Sequence, residues 1–280
     1  SSKEDWTKIG HKIEEVDKIK FLLFPNDDNK YNGVTKSINN DDIDKVALLK
    51  EPVELDNEKN VYIMFTSGSM GNPKGVKVSN TNVLCLLKNM KKYYDLDPGF
   101  RSSQTFDLSF DLSVSDMFFT WANGGMLCVL NEDELYCPSE YINREKIEFW
   151  HSVPTLAEFM NRLGFLKSQM YPSLRYSIFC GEPLTQKIAD AWMNAAPNST
   201  IENLYGPTET TVFVSRYRYT KNDIDKNYKN NIVPIGKPFD GIDLAIVDSN
   251  NKLVPNSKNG ELVISGKQVT KGYLNDDKKT

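Results

Sequence analysis

Apolar positions set the rhythm of this chain before any single residue does. Residues 61–66 alternate, with Tyr62, Met64 and Thr66 to one side and Val61, Ile63 and Phe65 to the other. Both sets are largely apolar, so the pattern predicts a strand buried on both faces. Residues 75–79 alternate again and predict a strand that pairs back on 61–65; Ser79 or Asn80 then caps a helix running to about Tyr93. Upstream, Ile9, Ile13 and Val16 give helical spacing within 1–20. Residues 20–24 read as a short buried strand stopped by Pro25 and Asn26, and the Asn/Asp/Lys-rich stretch 27–60 holds brief apolar pieces such as 46–49.

Downstream the two periods alternate. The doublet Phe106-Asp107-Leu108-Ser109 and Phe110-Asp111-Leu112-Ser113, if extended, puts the apolar residues on one face and the Asp and Ser residues on the other. A helix over 114–122 closes at Asn123-Gly124, and 125–130 is the next strand. There follow a helix in 139–148, a strand at 149–153, a helix from Pro154 to about Leu166 and a strand at 176–180. Thr185 caps a helix through Ala195, and 200–204 is a strand. Strand and helix in alternation predict an α/β fold, a mostly parallel sheet flanked by helices. From Val233 the strands shorten to 244–247, 252–254 and 262–265, separated by polar turns, which predicts a small C-terminal antiparallel β lobe. The expected organisation is 1–60 as the N-terminal part of the core with a long polar connection, 61–232 as the ligand-binding core, and 233–280 as the β-rich lobe.

Composition adds mainly exclusions. The 280 residues are 39% hydrophobic and 26% charged, with a net charge of −4, ordinary for a globular chain and without a basic surface for nucleic acid or anionic lipid. Residues 1–20 are charged throughout, with no apolar core of a signal peptide, and no apolar run reaches membrane-spanning length. Cys85, Cys128, Cys137 and Cys180 lie far apart with no CxxC pair, which fits thiols in a reducing cytoplasm. Only His11 and His151 are present, too little for a histidine-based metal site or a catalytic triad.

The candidate chemistry lies where predicted strands end. Thr66-Ser67-Gly68-Ser69-Met70-Gly71-Asn72-Pro73-Lys74-Gly75 combines glycines, hydroxyls and a lysine. Glycines let backbone N–H groups converge on an anion, and a lysine supplies a point charge, so the stretch can cradle a polyphosphate. A polar turn between two strands is the alternative. The ATPase P-loop is excluded, because Gly75 rather than Ser or Thr follows Lys74. Residues 181–183 and 205–210 also follow predicted strands, and open α/β sheets bind ligands beyond those carboxyl ends.

These residues carry a resemblance. The 66–75 stretch resembles the phosphate loop of the adenylate-forming enzymes, a superfamily of amino-acid adenylation domains, acyl-CoA synthetases and luciferases. Phe110-Asp111-Leu112-Ser113-Val114 resembles its FDxSV motif, and Asn203-Leu204-Tyr205-Gly206-Pro207-Thr208-Glu209 its NxYGPTE motif. Gly260-Glu261-Leu262-Val263-Ile264-Ser265-Gly266, ending at Gly272-Tyr273-Leu274, resembles its GELxIxG…GYL motif. The order is the family's, and the motifs span residues 60–275. Within it, Phe179-Cys180-Gly181-Glu182 and the FDLSVSD wording look most like D-alanine–carrier-protein ligases, then nonribosomal adenylation domains. The chain departs in three ways: Met70 stands where the family usually has Thr, the chain stops at Thr280 before the ribose-binding aspartate and the mobile C-terminal lobe with its catalytic lysine, and the family's opening segment is missing. The expectation is therefore a truncated core of a longer enzyme.

The resemblance implies ATP and Mg²⁺ as cofactors, and as product an acyl-adenylate passed to the phosphopantetheine thiol of a carrier protein. Thr66, Ser67, Gly68, Ser69, Gly71 and Lys74 would hold the β- and γ-phosphates, Thr208 would contact the α-phosphate, and Glu209 would ligate Mg²⁺. Tyr205 would stack on adenine beside Gly206, Asn203 would bond its amino group, and Gly181, Glu182 and Pro183 would form the opposite wall. For Thr208 and Glu209 a plain helix N-terminus is the alternative. Asp111 would pair with a substrate ammonium, which fatty-acid and aryl-acid activators do not need; capping by Asp111 or Asp107 of the helix at 114 is its alternative. Cys180 and His151 are expected at the substrate pocket, or else as core residues. The implied reaction is activation of a small, D-alanine-like amino acid by a cytoplasmic ligase without nucleic-acid or membrane partners. The alternatives are a nonribosomal adenylation domain, an acyl-CoA synthetase and a non-catalytic nucleotide-binding relative.

Overall fold

A computed structural model describes residues 22–24, 37–39, 45, 56–67, 73–131, 134–224, 226, 228–255, 258–276, 278 and 280. The chain divides into two compact units, Ser1–Glu54 and Leu55–Thr280. In the first, strands β1 (Leu22–Phe24) and β2 (Ser37–Asn39) pair in parallel. The helix expected within 1–20 and the apolar piece at 46–49 lie outside the described residues.

The second unit opens with a hairpin, β3 (Asn60–Thr66) against β4 (Lys74–Ser79), in the expected antiparallel register with Thr66 opposite Lys74. One expectation fails here. β3 is not buried on both faces: Val61, Ile63 and Phe65 are exposed, because this two-stranded sheet packs on one side only, through Val76, Val78 and Val83. Ser79 caps helix α1 (Asn80–Tyr93) in a reciprocal capping box with Asn82.

Seven strands form the main sheet, in the order β11-β10-β9-β8-β7-β5-β6. β5 (Arg101–Gln104), β6 (Met126–Val129), β7 (Phe149–Ser152), β8 (Tyr176–Phe179) and β9 (Thr200–Tyr205) run parallel. β10 (Ser215–Tyr219) and β11 (Lys237–Pro238), which the sequence reading did not assign, add an antiparallel edge. The helices are α2 (Leu112–Ala122), α3 (Pro138–Arg144), α4 (Pro154–Arg162) and α5 (Gln186–Ala195), the last capped by Thr185 as expected. Alternation along the strands builds a layer on each face. Trp150, Phe179 and Ile201 enter one core with residues of α3, α4 and α5. Phe149, Ile178, Cys180 and Leu204 enter another with Leu86, Met90 and Phe119 from α1 and α2.

The Phe-Asp-Leu-Ser doublet is not extended. β5 stops at Gln104 and the chain turns until α2 begins at Leu112, with Asp107 accepting from the Ser109 amide at 2.8 Å. This Asx turn outcompetes the strand pattern. At the C-terminal end β12 (Ile242–Val247) and β13 (Glu261–Gly266) form an antiparallel pair; residues 252–254 contribute only a bridge, Leu253 to Val247. Among the described residues no helix is long and apolar enough to cross a membrane.

Candidate functional site

The carboxyl ends of β8 and β9 carry the site's walls. β8 runs into Gly181, whose φ of +90° suits glycine. β9 runs into Gly206-Pro207 and a single 3₁₀ turn, Thr208–Thr210. Between them lies a cavity of about 360 Å³, lined by Gly181, Glu182, Pro183, Asn203, Tyr205, Gly206 and Pro207 together with Ile232, Val233 and Ile235. All the residues expected to flank a base thus meet at one cavity. Glu182 is exposed and held by the Thr155 backbone N–H and hydroxyl. The buried Asn203 donates from Nδ2 to Val233 O at 3.1 Å and Pro234 O at 3.0 Å, which leaves its Oδ1 as an acceptor without a partner. Gly206 is fixed by crowding: a Cβ there would stand 2.4 Å from Phe213 Cα.

Asp111 lies at the head of α2 and makes no capping bond with its side chain, so the capping alternative does not account for its burial. Asp107, its counterpart in the doublet, is exposed. Burial raises the Asp111 carboxyl above its ordinary value, against the opposing pull of the Thr208 side chain and the Val212 amide. Its Oδ2 has no hydrogen-bond partner among the described residues. Its charge reaches Tyr62, whose buried hydroxyl is also unpartnered, and Cys180, whose thiol burial pushes up to about 12. A thiol held protonated there is a small packing surface rather than a nucleophile.

Glu209 is half-buried and accepts from the Tyr273 hydroxyl at 2.6 Å through Oε1; its backbone carbonyl accepts from the Thr270 amide at 2.8 Å. No described residue bonds its Oε2, and the described residues hold no group of three metal-ligating side chains. That donor set suits Mg²⁺, which takes one or two carboxylates and fills its shell with water and phosphate oxygens. Lys74 Nζ lies 5.1 Å from the centre of the same Tyr273 ring, so Tyr273 links the hairpin to the Glu209 turn. Thr66 ends β3 opposite Lys74 and Ser67 follows it outside the strand; Gly68, Ser69, Met70 and Gly71 lie outside the described residues.

His151 is fully buried on β7. Its Nδ1 lies 2.6 Å from Asp116 Oδ1, its ring packs edge-on to Phe106 and Phe213, and its Nε2 has no partner. Burial lifts the Asp116 carboxyl to about 6. Sequence reasoning missed Tyr62, Asp116, Gln268 and Tyr273 as participants. Tyr273 sat inside a quoted motif and could have been found; Gln268 carries no pattern that marks it.

Known proteins bear on this arrangement. The profile of the AMP-binding enzyme family matches residues 5–274. A D-alanine–D-alanyl carrier protein ligase of Listeria monocytogenes is 35% identical over 244 residues, 85% of this chain and 46% of that protein. One from Bacillus velezensis is 33% identical over 77% of this chain and 43% of its own length. The chain therefore spans about half the length of the curated relatives it matches. Among solved structures, the adenylation domain AlmE of Vibrio cholerae, determined with glycyl-adenosine-5'-phosphate, superposes with a TM-score of 0.84 at 33% identity, covering 100% of this chain and 54% of that one. The structure titled IdnL7 gives 0.80 at 31% identity, over 90% of this chain and half of its own. A profile match over nearly the whole chain, on a sheet whose strand ends form the cavity above, makes this chain a member of the AMP-binding enzyme family.

Proposed function

We propose that this chain is the nucleotide- and amino-acid-binding core of a ligase that activates a small, D-alanine-like amino acid as its aminoacyl-adenylate and passes it to the phosphopantetheine thiol of a carrier protein. The observation that carries the reading is the buried Asp111, whose Oδ2 has no partner. A buried carboxylate oxygen without a bond is costly, and an ammonium group arriving there removes the cost. An acyl-CoA synthetase acting on a plain carboxylic acid has no use for that charge. The curated relatives are named for D-alanine, and AlmE was determined with a glycyl adenylate; both substrates carry that ammonium.

In the proposed reaction a carboxylate oxygen of the amino acid attacks the α-phosphorus of ATP, a P–O bond forms, and the bond to pyrophosphate breaks. No general base is required, because the attacking carboxylate is already ionised near neutral pH. Asp111 orients the ammonium, and the protonated Cys180 packs beside it. Asn203 Oδ1 accepts from the adenine amino group, with Tyr205 and Gly181-Glu182-Pro183 enclosing the base. Thr208 donates toward the α-phosphate, while Thr66, Ser67, Gly68, Ser69, Gly71 and Lys74 bind the outer phosphates. Glu209 would hold Mg²⁺, which neutralises charge on the phosphates. His151, tied to Asp116, sets the floor beneath the amino acid. The thiol of the carrier then displaces AMP and takes the acyl group as a thioester.

The test is ATP–pyrophosphate exchange on the intact protein with a panel of D- and L-amino acids, for the wild type and Asp111→Ala. Exchange driven by one small amino acid and lost in the variant is expected. Exchange driven only by carboxylic acids without an amino group, and indifferent to the substitution, would replace this reading with acyl-CoA synthesis.

A further inference from the structure

We infer that Gln268 is a positioning residue for Glu209: its side-chain amide clamps the strained turn that follows Glu209 and thereby fixes the carboxylate for its cation. The inference rests on the reading above for the identity of that cation. It starts from an anomaly in the backbone. Thr211 and Val212 are consecutive β-branched residues with φ of +61° and +69°. Left-handed backbone is rare for such side chains, and a pair of them persists only where the surroundings over-determine it.

One amide adds three bonds to those the turn makes within itself. Gln268 is completely buried, and its Nε2 donates to Phe213 O at 2.9 Å, Thr211 O at 3.3 Å and Thr210 O at 3.4 Å. These carbonyls belong to no α-helix or sheet ladder; Thr211 O also accepts from the Phe213 amide at 2.9 Å. Gln268 Oε1 accepts from Asn89 Nδ2 at 3.3 Å, which sets the orientation of the amide from α1. The backbone closes the clamp, since Thr211 Oγ1 donates to Gln268 O at 2.7 Å. The flanking carbonyls of Lys267 and Val269 both accept from Asn82 Nδ2, so the clamping segment is itself anchored on α1.

The turn so held carries the groups the proposed chemistry needs. Glu209 precedes it, with its carbonyl bonded by Thr270 and its Oε1 by Tyr273, both from the segment that contains Gln268. The adenine cavity is built differently. Its lining comes from 181–183, 203–207, 232, 233 and 235, and none of the three carbonyls that Gln268 bonds belongs to it, although Gly206 packs against Phe213. A residue that merely stabilised the fold would weaken every ligand contact together. A clamp on the Glu209 turn weakens most those that pass through the cation.

The experiment uses the intact protein and two substitutions, Gln268→Met, which keeps the volume, and Gln268→Glu, which sets oxygen against the three carbonyls. Asn89→Ala serves as a milder release of the same amide should either fail to fold. Two readouts are taken: hydrogen exchange of the amides at 210–214 without ligand, and ATP affinity by calorimetry with Mg²⁺ and with a chelator. The expected result is at least tenfold faster exchange at 210–214, about tenfold weaker ATP binding in Mg²⁺, and a markedly smaller loss of binding in chelator. Unaltered exchange at 210–214 overturns the clamp. Equal weakening with and without Mg²⁺ overturns the positioning role in favour of a general structural one. If the wild type binds no ATP under either condition, the functional reading fails instead, and the exchange readout still decides whether Gln268 holds the turn.

Discussion

Trp192 and Asp111 each bury a polar atom that no described residue bonds, Nε1 in one case and Oδ2 in the other. Trp192 stands in the core beneath one face of the sheet, stacked near Trp150 and Tyr171 and edge-on to Phe179. There a single neutral N–H is left unbonded within a large area of ring contact, and the packing outweighs it. Asp111 stands beyond the sheet's carboxyl end among Thr208, Cys180 and Tyr62, where the orphan is a carboxylate oxygen and the neighbouring hydroxyl of Tyr62 is orphaned too. Burying charge costs far more than burying an N–H, so the second arrangement is one the fold tolerates rather than one it gains from. The same kind of buried atom thus reports packing in one region and, on the proposed function, the place of a substrate ammonium in the other.

Mutation separates the two. Trp192→Ala should have the largest effect, a loss of about 3–5 kcal/mol in stability from transfer and cavity terms. Urea unfolding would measure it, and a loss below about 1 kcal/mol would remove the contrast. Asp111→Asn should do the reverse. Its stability should hold or rise, because a carboxyl whose folded pKa is raised binds its proton more tightly folded than unfolded, so wild-type stability falls as pH rises through that window and the amide has no such dependence. Amino-acid-dependent exchange, in contrast, should lose about 3 kcal/mol in kcat/KM, on the order of a hundredfold.

Gly206→Ala sits between these cases, since its Cβ would collide with the backbone of Phe213. We expect a stability loss of about 1–3 kcal/mol together with weaker nucleotide binding, read by unfolding and calorimetry on one preparation. The smallest effect is in pH. With the Asp111 carboxyl raised by burial, protonation should weaken amino-acid binding at a higher pH than the value of about 4 of an ordinary carboxyl. KM for the amino acid should therefore begin to climb early on acidification in the wild type and stay flat in Asp111→Asn. An identical KM profile in both would separate Asp111 from ammonium binding.

Much of this was legible in the chain because it is local. The alternation at 149–153, 176–180 and 200–204, the caps at Ser79 and Thr185, and the glycines and hydroxyls after the strands depend on neighbours within a few residues. The preference for Asp111 over Asp107 came from the motif alone; the fold buries Asp111 and exposes Asp107. What the sequence misjudged depended on distant partners. The exposure of Val61, Ile63 and Phe65 follows from which surfaces meet the hairpin, and the unassigned β10 follows from its pairing with β9. The extended reading of 106–113 lost to a side-chain turn at Asp107 that competes at the same range, and to the helix that begins at Leu112.

By itself, then, the sequence determined the α/β order and the family-like motifs, and it marked residues 181–183 and 203–206, which the fold gathers at one cavity, since backbone propensity and the two side-chain periods act over short separations. Only the tertiary structure decided that Asp111 faces Thr208 and Cys180, that Tyr273 bonds Glu209, and that Gln268 grips a left-handed turn 55 residues before it at Phe213. Such contacts join segments far apart in the chain. Their geometry is set by how whole layers pack, and no short window of sequence carries that information.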